Sequence, residues 1–191
     1  MAEPAEPEPI PYWPYYCEEN AWRLLAATAL VRGPAAAVLV ANRGGRVACW
    51  SQRAADPGEP VLWDYHVVVA ELEPPDLDEP RLWDPDCRLG PTLPASAWLA
   101  ATFLEPEVVR PRFHPRFRVV PRERWVAGLA TDRSHMRRAD GRWRKPPPPW
   151  DPPGAPGMNL EAWLDQDADD WIDRATLEAR WLSGRGQTES A

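Results

Sequence analysis

The spacing of apolar residues predicts one helix near the start of the chain, followed by short strands. Four apolar residues share one face of a helix over 18–30: Trp22, Leu25, Ala26 and Ala29. Acidic residues fill its first turn, where they suit the helix dipole, and Gly33-Pro34 ends it. Two apolar runs, 35–41 and 46–52, flank an Asn-Arg-Gly-Gly turn and predict a β-hairpin.

The strongest strand signal is the run 61–72, whose β-branched and aromatic residues predict a central strand. Further apolar segments predict strands at 81–84 and 117–120 and helices at 94–103, 122–129, 159–166 and 176–183. Residues 131–150 have no periodicity and contain four consecutive prolines, which predicts an extended surface loop.

The length of 191 residues fits one domain, which we place at 15–183. Residues 1–14 repeat glutamate and proline, so they are predicted to be a disordered or loosely packed tail. Residues 184–191 are predicted to be a second, disordered tail. The acidic N-terminus does not resemble a signal peptide, and no apolar stretch approaches the length of a membrane span. We therefore expect no membrane association.

Charge and cysteine content narrow the class of protein further. The net charge is −7, although basic residues outnumber acidic ones twelve to three between Arg110 and Lys145. An acidic molecule repels phosphate, so we expect these arginines to pair with the acidic remainder and not with nucleic acid. Three cysteines without CxxC spacing suggest neither disulfides nor a zinc site. We predict a cytoplasmic monomer without metal or cofactor.

Three residues have the chemistry of a nucleophilic site. Cys17 immediately precedes the acidic helix turn, His66 lies within the strongest strand, and Asp84 ends the next one. A helix N-terminus and an imidazole are the usual means of activating a thiol, and a carboxylate orients the imidazole. A small buried cysteine and a hydrogen-bonded core histidine would give the same pattern, so spacing alone leaves both interpretations open.

The other cysteines and histidines fit this role less well. Cys49 lies within a strand and Cys87 in a loop, and neither has a helix N-terminus to activate it. His114 and His135 are rival bases, but both lie in predicted loops. His66 is the histidine on a rigid element.

Several long motifs occur together in this chain. They are YCEENAW (16–22), VLWDYHVVV (61–69), FRVV (117–120), TDRSHM (131–136), GRWRKPPPPW (141–150) and MNL (158–160). In this combination and order, the segment from about Tyr15 to Leu160 resembles the protein N-terminal glutamine amidohydrolase family. The N-terminal tail and the last ~30 residues match less clearly.

The resemblance implies a papain- or transglutaminase-like α+β fold, with an antiparallel sheet packed against an N-terminal helix that carries the nucleophile. It implies conversion of N-terminal glutamine to glutamate with release of ammonia, and in the family the product feeds a degradation pathway. Matching motifs assign the nucleophile to Cys17, the base to His66 and the orienting carboxylate to Asp84. The family's Asp-Leu-Asp is Asp84-Pro85-Asp86 here, so Asp86 is the alternative carboxylate.

A terminal glutamine carries a free α-ammonium, which requires a carboxylate. We rank Glu19 and Asp64 above Glu18. In the predicted strand Asp64 and His66 point to the same face, because side chains alternate with a period of two. Two other interpretations are as good as a substrate role. Glu18 would be a solvated partner of the helix dipole, and Asp64 would be a structural hydrogen-bond acceptor.

The loop 132–136 offers further candidates for substrate binding. Ser134 and His135 are expected to contact the peptide backbone, unless this segment is a rigid strap across the core. Trp63 and Trp83 adjoin the predicted catalytic residues and are expected to shield the thiolate from water. The rival functions are a cysteine peptidase, a transglutaminase-like enzyme, and an inactive module that binds N-terminal residues.

Overall fold

The computed structural model describes residues 9–154 and 156–183. Its helices are α1 (Cys17–Ala26), α2 (Ala95–Thr102), α3 (Arg122–Gly128), α4 (Leu160–Trp163) and α5 (Arg174–Leu182). Its strands are β1 (Ala35–Ala41), β2 (Val47–Cys49), β3 (Val61–Trp63), β4 (His66–Glu71), β5 (Arg81–Trp83), β6 (Thr92–Pro94), β7 (Arg116–Pro121) and β8 (Trp171–Asp173). Of the two predicted tails, 1–8 and 184–191 lie outside the described residues. Residues 9–14 are described, and Trp13 donates its backbone N–H to Asn20.

A six-stranded antiparallel sheet organises the fold, in the order β6-β5-β4-β1-β7-β8. Strand β1 lies inside it, between β4 and β7, and all seven of its residues are buried. A strand that is covered on both faces must be apolar on both, which explains the uninterrupted AAAVLVA sequence. The predicted α+β fold, with an antiparallel sheet and an N-terminal helix, is confirmed.

Helices cover both faces of this sheet. One core contains alternate residues of β1 and β4 packed with α1, α3 and α4: Ala37, Leu39, Val67, Val69, Leu24, Leu25, Trp125 and Trp163. The other contains the intervening residues packed with α2 and α5: Val38, Val40, Val68, Ala70, Trp98, Leu99, Leu177 and Trp181. The period-two alternation of a strand therefore divides the apolar residues between two helical layers. In the part of the chain that the structure describes, no helix is long and apolar enough to cross a membrane.

Helix α1 differs from its prediction in length and in rotation. It ends at Ala26 instead of Leu30, and Ala26 and Ala29 are exposed. Its buried residues include Leu24 together with Glu18 and Glu19. The prediction treated only apolar residues as buried. These two carboxylates are buried as well, because other side chains bond them, so the buried face of the helix is rotated relative to the predicted one.

Two strand predictions were wrong. Strand β1 pairs with β4 and β7, and not with the segment 46–52, because both of its edges are already occupied. The run 61–72 is two strands that belong to different sheets, with β3 paired to β2. Asp64 lies in the bend between them, so the argument that placed it on the same face as His66 fails.

Most of the remaining predictions agree with the structure. Helices α2, α3 and α5 and strands β5 and β7 lie within two residues of their predicted bounds, and Trp98 and Leu99 are buried as expected. Helix α4 is shorter than predicted, and the short strands β6 and β8 were missed. The loop 131–150 contains one 3₁₀ turn, Ser134–Met136, and an isolated bridge between Arg137 and Trp143.

Candidate active site

A buried imidazole and carboxylate meet where β4 begins and β5 ends. His66 is the first residue of β4, and Asp84 directly follows β5. His66 Nε2 lies 3.0 Å from Asp84 Oδ1, and the two residues are 2% and 1% exposed. Burial opposes the charged imidazole, but the Asp84 carboxylate outweighs it and raises the pKa of His66 above its ordinary value. The sheet thus holds this pair rigidly and out of water.

The Asp84 carboxylate is surrounded by hydrogen-bond donors. Gln52 Nε2 and Trp98 Nε1 donate to its Oδ2, at 3.2 and 3.0 Å. The backbone N–H of Asp86 donates to Oδ1 at 3.2 Å. Burial alone would raise the pKa of Asp84, but His66 and these donors lower it below its usual value. Because an ionised carboxylate only accepts, His66 carries its proton on Nε2, which leaves Nδ1 as the other polar atom of the ring.

Cys17 begins α1 and lines one cavity with His66. The sulfur accepts a hydrogen bond from the backbone N–H of Val67, which favours the thiolate. Removal of the thiol from water, and after it the Glu18 carboxylate, outweigh this bond and raise the pKa of Cys17 well above its usual value. Both effects favour the neutral thiol in the uncomplexed site.

The cavity has a volume of about 400 Å³, within the usual range for a small-molecule site. Its lining comes from four separate parts of the chain: Tyr15, Cys17, Trp63, Asp64, Tyr65, His66, Asp86, His135, Met136, Arg144 and Lys145. Trp63 stacks on the His66 ring, with centroids 6.0 Å apart and planes 13° apart. Trp83 does not line this cavity and instead packs in the core beneath α1. Trp83 and Cys17 line a smaller neighbouring cavity, so both tryptophans lie near the thiol, whereas Trp63 lines the cavity that contains His66.

Glu18 is fully buried beside the thiol. Its Oε2 accepts hydrogen bonds from the Tyr65 hydroxyl at 3.1 Å and from the Cys17 thiol, whose Sγ lies 3.8 Å away. Its Oε1 lies 3.5 Å from His135 Nε2, without the geometry of a hydrogen bond. Tyr65 and His135 both line the cavity. The structure thus brings His135, predicted to bind substrate, to the site, together with a carboxylate that we ranked low.

The other predicted substrate-binding residues have different surroundings. Both oxygens of Glu19 accept hydrogen bonds from Arg133 at 2.7 Å, and Trp150 Nε1 donates to Oε2. Glu19 does not line the cavity. Asp64 lines its rim, but its side chain is 81% exposed and lies 3.8 Å from Arg46. Ser134 is exposed and does not line the cavity.

Asp86, the alternative carboxylate, faces the cavity but does not bond His66 directly. Its Oδ1 accepts a hydrogen bond from the Tyr12 hydroxyl, and burial and then Asp84 raise its pKa. One ligand atom each from His66, Asp84 and Asp86 lie within 4.8 Å of one another, the only grouping among the described residues with metal-ligand spacing. Two of these three residues, His66 and Asp84, already bond each other through His66 Nε2, so the grouping contains a hydrogen-bonded pair.

Several supporting residues were missed in the sequence. Gln52 and Trp98 reach Asp84 from distant segments, and Tyr12 reaches Asp86 across 74 residues, so no local pattern marks them. Tyr65 lies next to His66 and was available from that motif. Cys49 and Cys87 are buried, and neither lines the cavity. His114 contacts the carbonyls of Pro106 and Val109 and is likewise outside it.

An α+β protein in which a thiol and an imidazole line one cavity, and a buried carboxylate bonds the imidazole, has the arrangement of hydrolases that use a cysteine nucleophile. Comparison with known proteins identifies the family. The sequence model of the family described as N-terminal glutamine amidase matches residues 12–182. The chain therefore belongs to this family, and it is a hydrolase that acts on an amide bond.

Individual relatives agree with the family match. Proteins named protein N-terminal glutamine amidohydrolase from Drosophila pseudoobscura pseudoobscura and from Drosophila melanogaster are each 36% identical to it over 142 residues. These alignments cover 72% of this chain and 68% of each relative.

Proposed function

We propose that this chain deamidates the side chain of an N-terminal glutamine in peptides and proteins, giving glutamate and ammonia. The observation that carries the proposal is that Cys17 and His66 line one cavity and that His66 bonds the buried Asp84, in a chain of the N-terminal glutamine amidase family. We further propose that the fold is of the papain or transglutaminase type. The helix that starts at Cys17 and packs on an antiparallel sheet supports this assignment.

In the first half-reaction, the Cys17 thiol gives its proton to His66 Nδ1 and the sulfur attacks the side-chain amide carbon. The carbonyl π electrons move to oxygen and form a tetrahedral intermediate. When it collapses, the carbon–nitrogen bond breaks and His66 returns the proton to the departing ammonia. A thioester between Cys17 and the glutamyl side chain remains. Asp84 keeps the ring in the required tautomer and stabilises the imidazolium.

In the second half-reaction, a water molecule gives a proton to His66 and attacks the thioester carbon. The sulfur leaves and regains its proton, which restores the thiol and releases the glutamate side chain. Overall, glutamine and water become glutamate and ammonia. The first N–H groups of an α-helix have no partner within the helix, so the backbone N–H of Cys17 is the candidate donor to the oxyanion.

The proposal is tested with purified protein and a synthetic peptide that begins with glutamine. Ammonia release, together with a mass change from glutamine to glutamate and an uncut backbone, supports deamidation. Matched peptides that begin with asparagine, or that carry glutamine at the second position, are expected to be inert. A cut backbone or cross-linking to an added amine would favour the peptidase or the transglutaminase. Binding of the peptide without ammonia release would indicate an inactive binding module.

A further inference from the structure

The carboxylate of Glu18 is buried with half of its hydrogen-bonding capacity unused. Glu18 is 0% exposed, and within residues 9–154 and 156–183 its Oε1 has no hydrogen-bond partner. Buried polar atoms in folded proteins nearly always have partners, because an unsatisfied one costs its full desolvation energy. Although His135 Nε2 lies 3.5 Å from Oε1, a buried carboxylate oxygen without a hydrogen bond needs an explanation, and a cationic ligand that completes the site is one.

The position of Glu18 indicates where such a ligand lies. Its Oε2 is 3.8 Å from Cys17 Sγ, and its two neighbours Tyr65 and His135 line the cavity that contains His66. A cation that reaches Oε1 from this cavity would lie beside the nucleophile. The free α-ammonium of a peptide is such a cation, and it is separated from the glutamine amide by only a few bonds.

The other carboxylates near the site are less suited to this role. Glu19 already has Arg133 and Trp150 as partners. Asp64 is largely in water, where an ion pair contributes little. Asp86 accepts a hydrogen bond from Tyr12, and burial beside Asp84 raises its pKa, which favours the neutral carboxyl.

We propose that Glu18 Oε1 binds the α-ammonium of the substrate and thereby limits the enzyme to peptides with a free amino terminus. This inference rests on the proposed function and names the residue that makes the site specific for a chain terminus. It reverses the ranking that the sequence suggested. The pair forms out of water, where charge-assisted hydrogen bonds are strongest.

The same contact couples substrate binding to activation of the nucleophile. After burial, the Glu18 carboxylate is the main cause of the raised pKa of the Cys17 thiol. An ammonium on Oε1 offsets that negative charge, so the bound substrate lowers the pKa of the thiol that attacks it. The uncomplexed enzyme would then keep an unreactive thiol.

Other titratable and charged groups lie near the thiol or face the cavity that it lines, and they come from every element packed around it. They are Tyr65 and His66 beside and within β4, Asp84 and Asp86 after β5, and His135, Arg144 and Lys145 of the proline-rich loop. Among the carboxylates, the negative charge of Asp84 is already offset by His66 and by the other groups that donate hydrogen bonds to Asp84. Asp86 is the matched comparison for Glu18.

The experiment measures ammonia release by the wild-type chain, Glu18→Gln and Asp86→Asn. Glutamine keeps the size of Glu18 and an acceptor for Tyr65 but removes the charge. We expect Glu18→Gln to raise KM by about 10- to 100-fold, the loss expected for one charge-assisted hydrogen bond. Asp86→Asn, which can still accept from Tyr12, should raise KM by less than about threefold.

Two further measurements make the outcome specific. N-acetylation of the peptide should abolish turnover by the wild type, and Glu18→Gln should discriminate less between free and acetylated peptides. The pH midpoint of Cys17 alkylation by iodoacetamide should fall in Glu18→Gln. Unchanged KM, discrimination and alkylation in a folded Glu18→Gln protein, or a larger KM effect in Asp86→Asn, would overturn the assignment.

A measurement on the wild type alone covers the case in which Glu18→Gln does not fold. Replacing the α-ammonium of the peptide by a hydroxyl should lower kcat/KM by about 10- to 100-fold. Equal kcat/KM values for the two peptides would refute the inference. Wild-type protein that releases no ammonia from the glutamine peptide would instead refute the proposed function, so the two failures are distinguishable.

Discussion

Replacing Asp84 by asparagine tests the proposed catalytic geometry most directly. Every group that contacts the carboxylate is a donor, namely His66 Nε2, Gln52 Nε2, Trp98 Nε1 and the Asp86 N–H. An asparagine accepts with one atom only. If its oxygen faces His66, its NH₂ group faces Trp98, whose indole can only donate. If it is reversed, the NH₂ group faces His66 and drives the ring to the other tautomer.

The magnitude follows from these contacts. Loss of charge weakens the remaining hydrogen bonds, and at least one buried donor is left unsatisfied, so we expect Asp84→Asn to lose about 2–4 kcal/mol of unfolding free energy. The wrong tautomer should lower kcat by about 10³–10⁴-fold, as in other triads. Urea unfolding measures the first quantity, and ammonia release from a glutamine peptide, assayed well below the unfolding midpoint, measures the second.

Asp86→Asn is the control for this experiment. It removes the carboxylate two residues after Asp84, which lines the cavity, but leaves the His66–Asp84 bond in place. We expect kcat to fall less than about tenfold. A folded Asp84→Asn protein with kcat within tenfold of the wild type, or a greater loss in Asp86→Asn, would refute the assignment of Asp84.

Three other predictions concern the nucleophile, the buried ion pair and pH. Cys17→Ala should abolish ammonia release while unfolding free energy changes by less than about 1 kcal/mol; residual turnover would exclude Cys17 as nucleophile. Arg133→Met leaves the buried Glu19 carboxylate with Trp150 but without its cationic partner, so urea unfolding should show a loss of about 3–5 kcal/mol; an unchanged midpoint would contradict this. The pKa of His66 is raised in the folded state above its unfolded value of about 6.5, so its contribution is complete below that pH and disappears as pH rises through the folded pKa. His66→Gln should therefore cost more unfolding free energy near pH 5 than near pH 9, and an equal cost at both would disprove the coupling.

Local elements were predictable from the sequence, but strand pairing was not. The apolar run 35–41 is a strand, and 95–102 is a helix, because period and composition act within a few residues. Which strand lies beside which depends on contacts far apart in the chain. A turn after β1 suggested a hairpin, although β4 and β7 occupy both edges of that strand. For the same reason no pattern showed that 61–72 leaves one sheet and enters another at Asp64.

The surroundings of the two helix carboxylates show the same limit at the site. Adjacent helical residues point about 100° apart, so either Glu18 or Glu19 fits the motif equally well. The choice is made by Arg133, which lies 114 residues further along the chain and bonds Glu19. Glu18 then faces Tyr65, the thiol and the cavity.

By itself the sequence determined the family, the α+β class and the three residues proposed for catalysis, because long motifs and short-range periodicity carry that information. Only the tertiary structure decided that His66 bonds Asp84 and not Asp86, and that Glu18 and not Glu19 lies beside the thiol. Both outcomes depend on helix rotation and on donors supplied by distant segments. Such contacts arise when the sheet and its two helical layers close around the site.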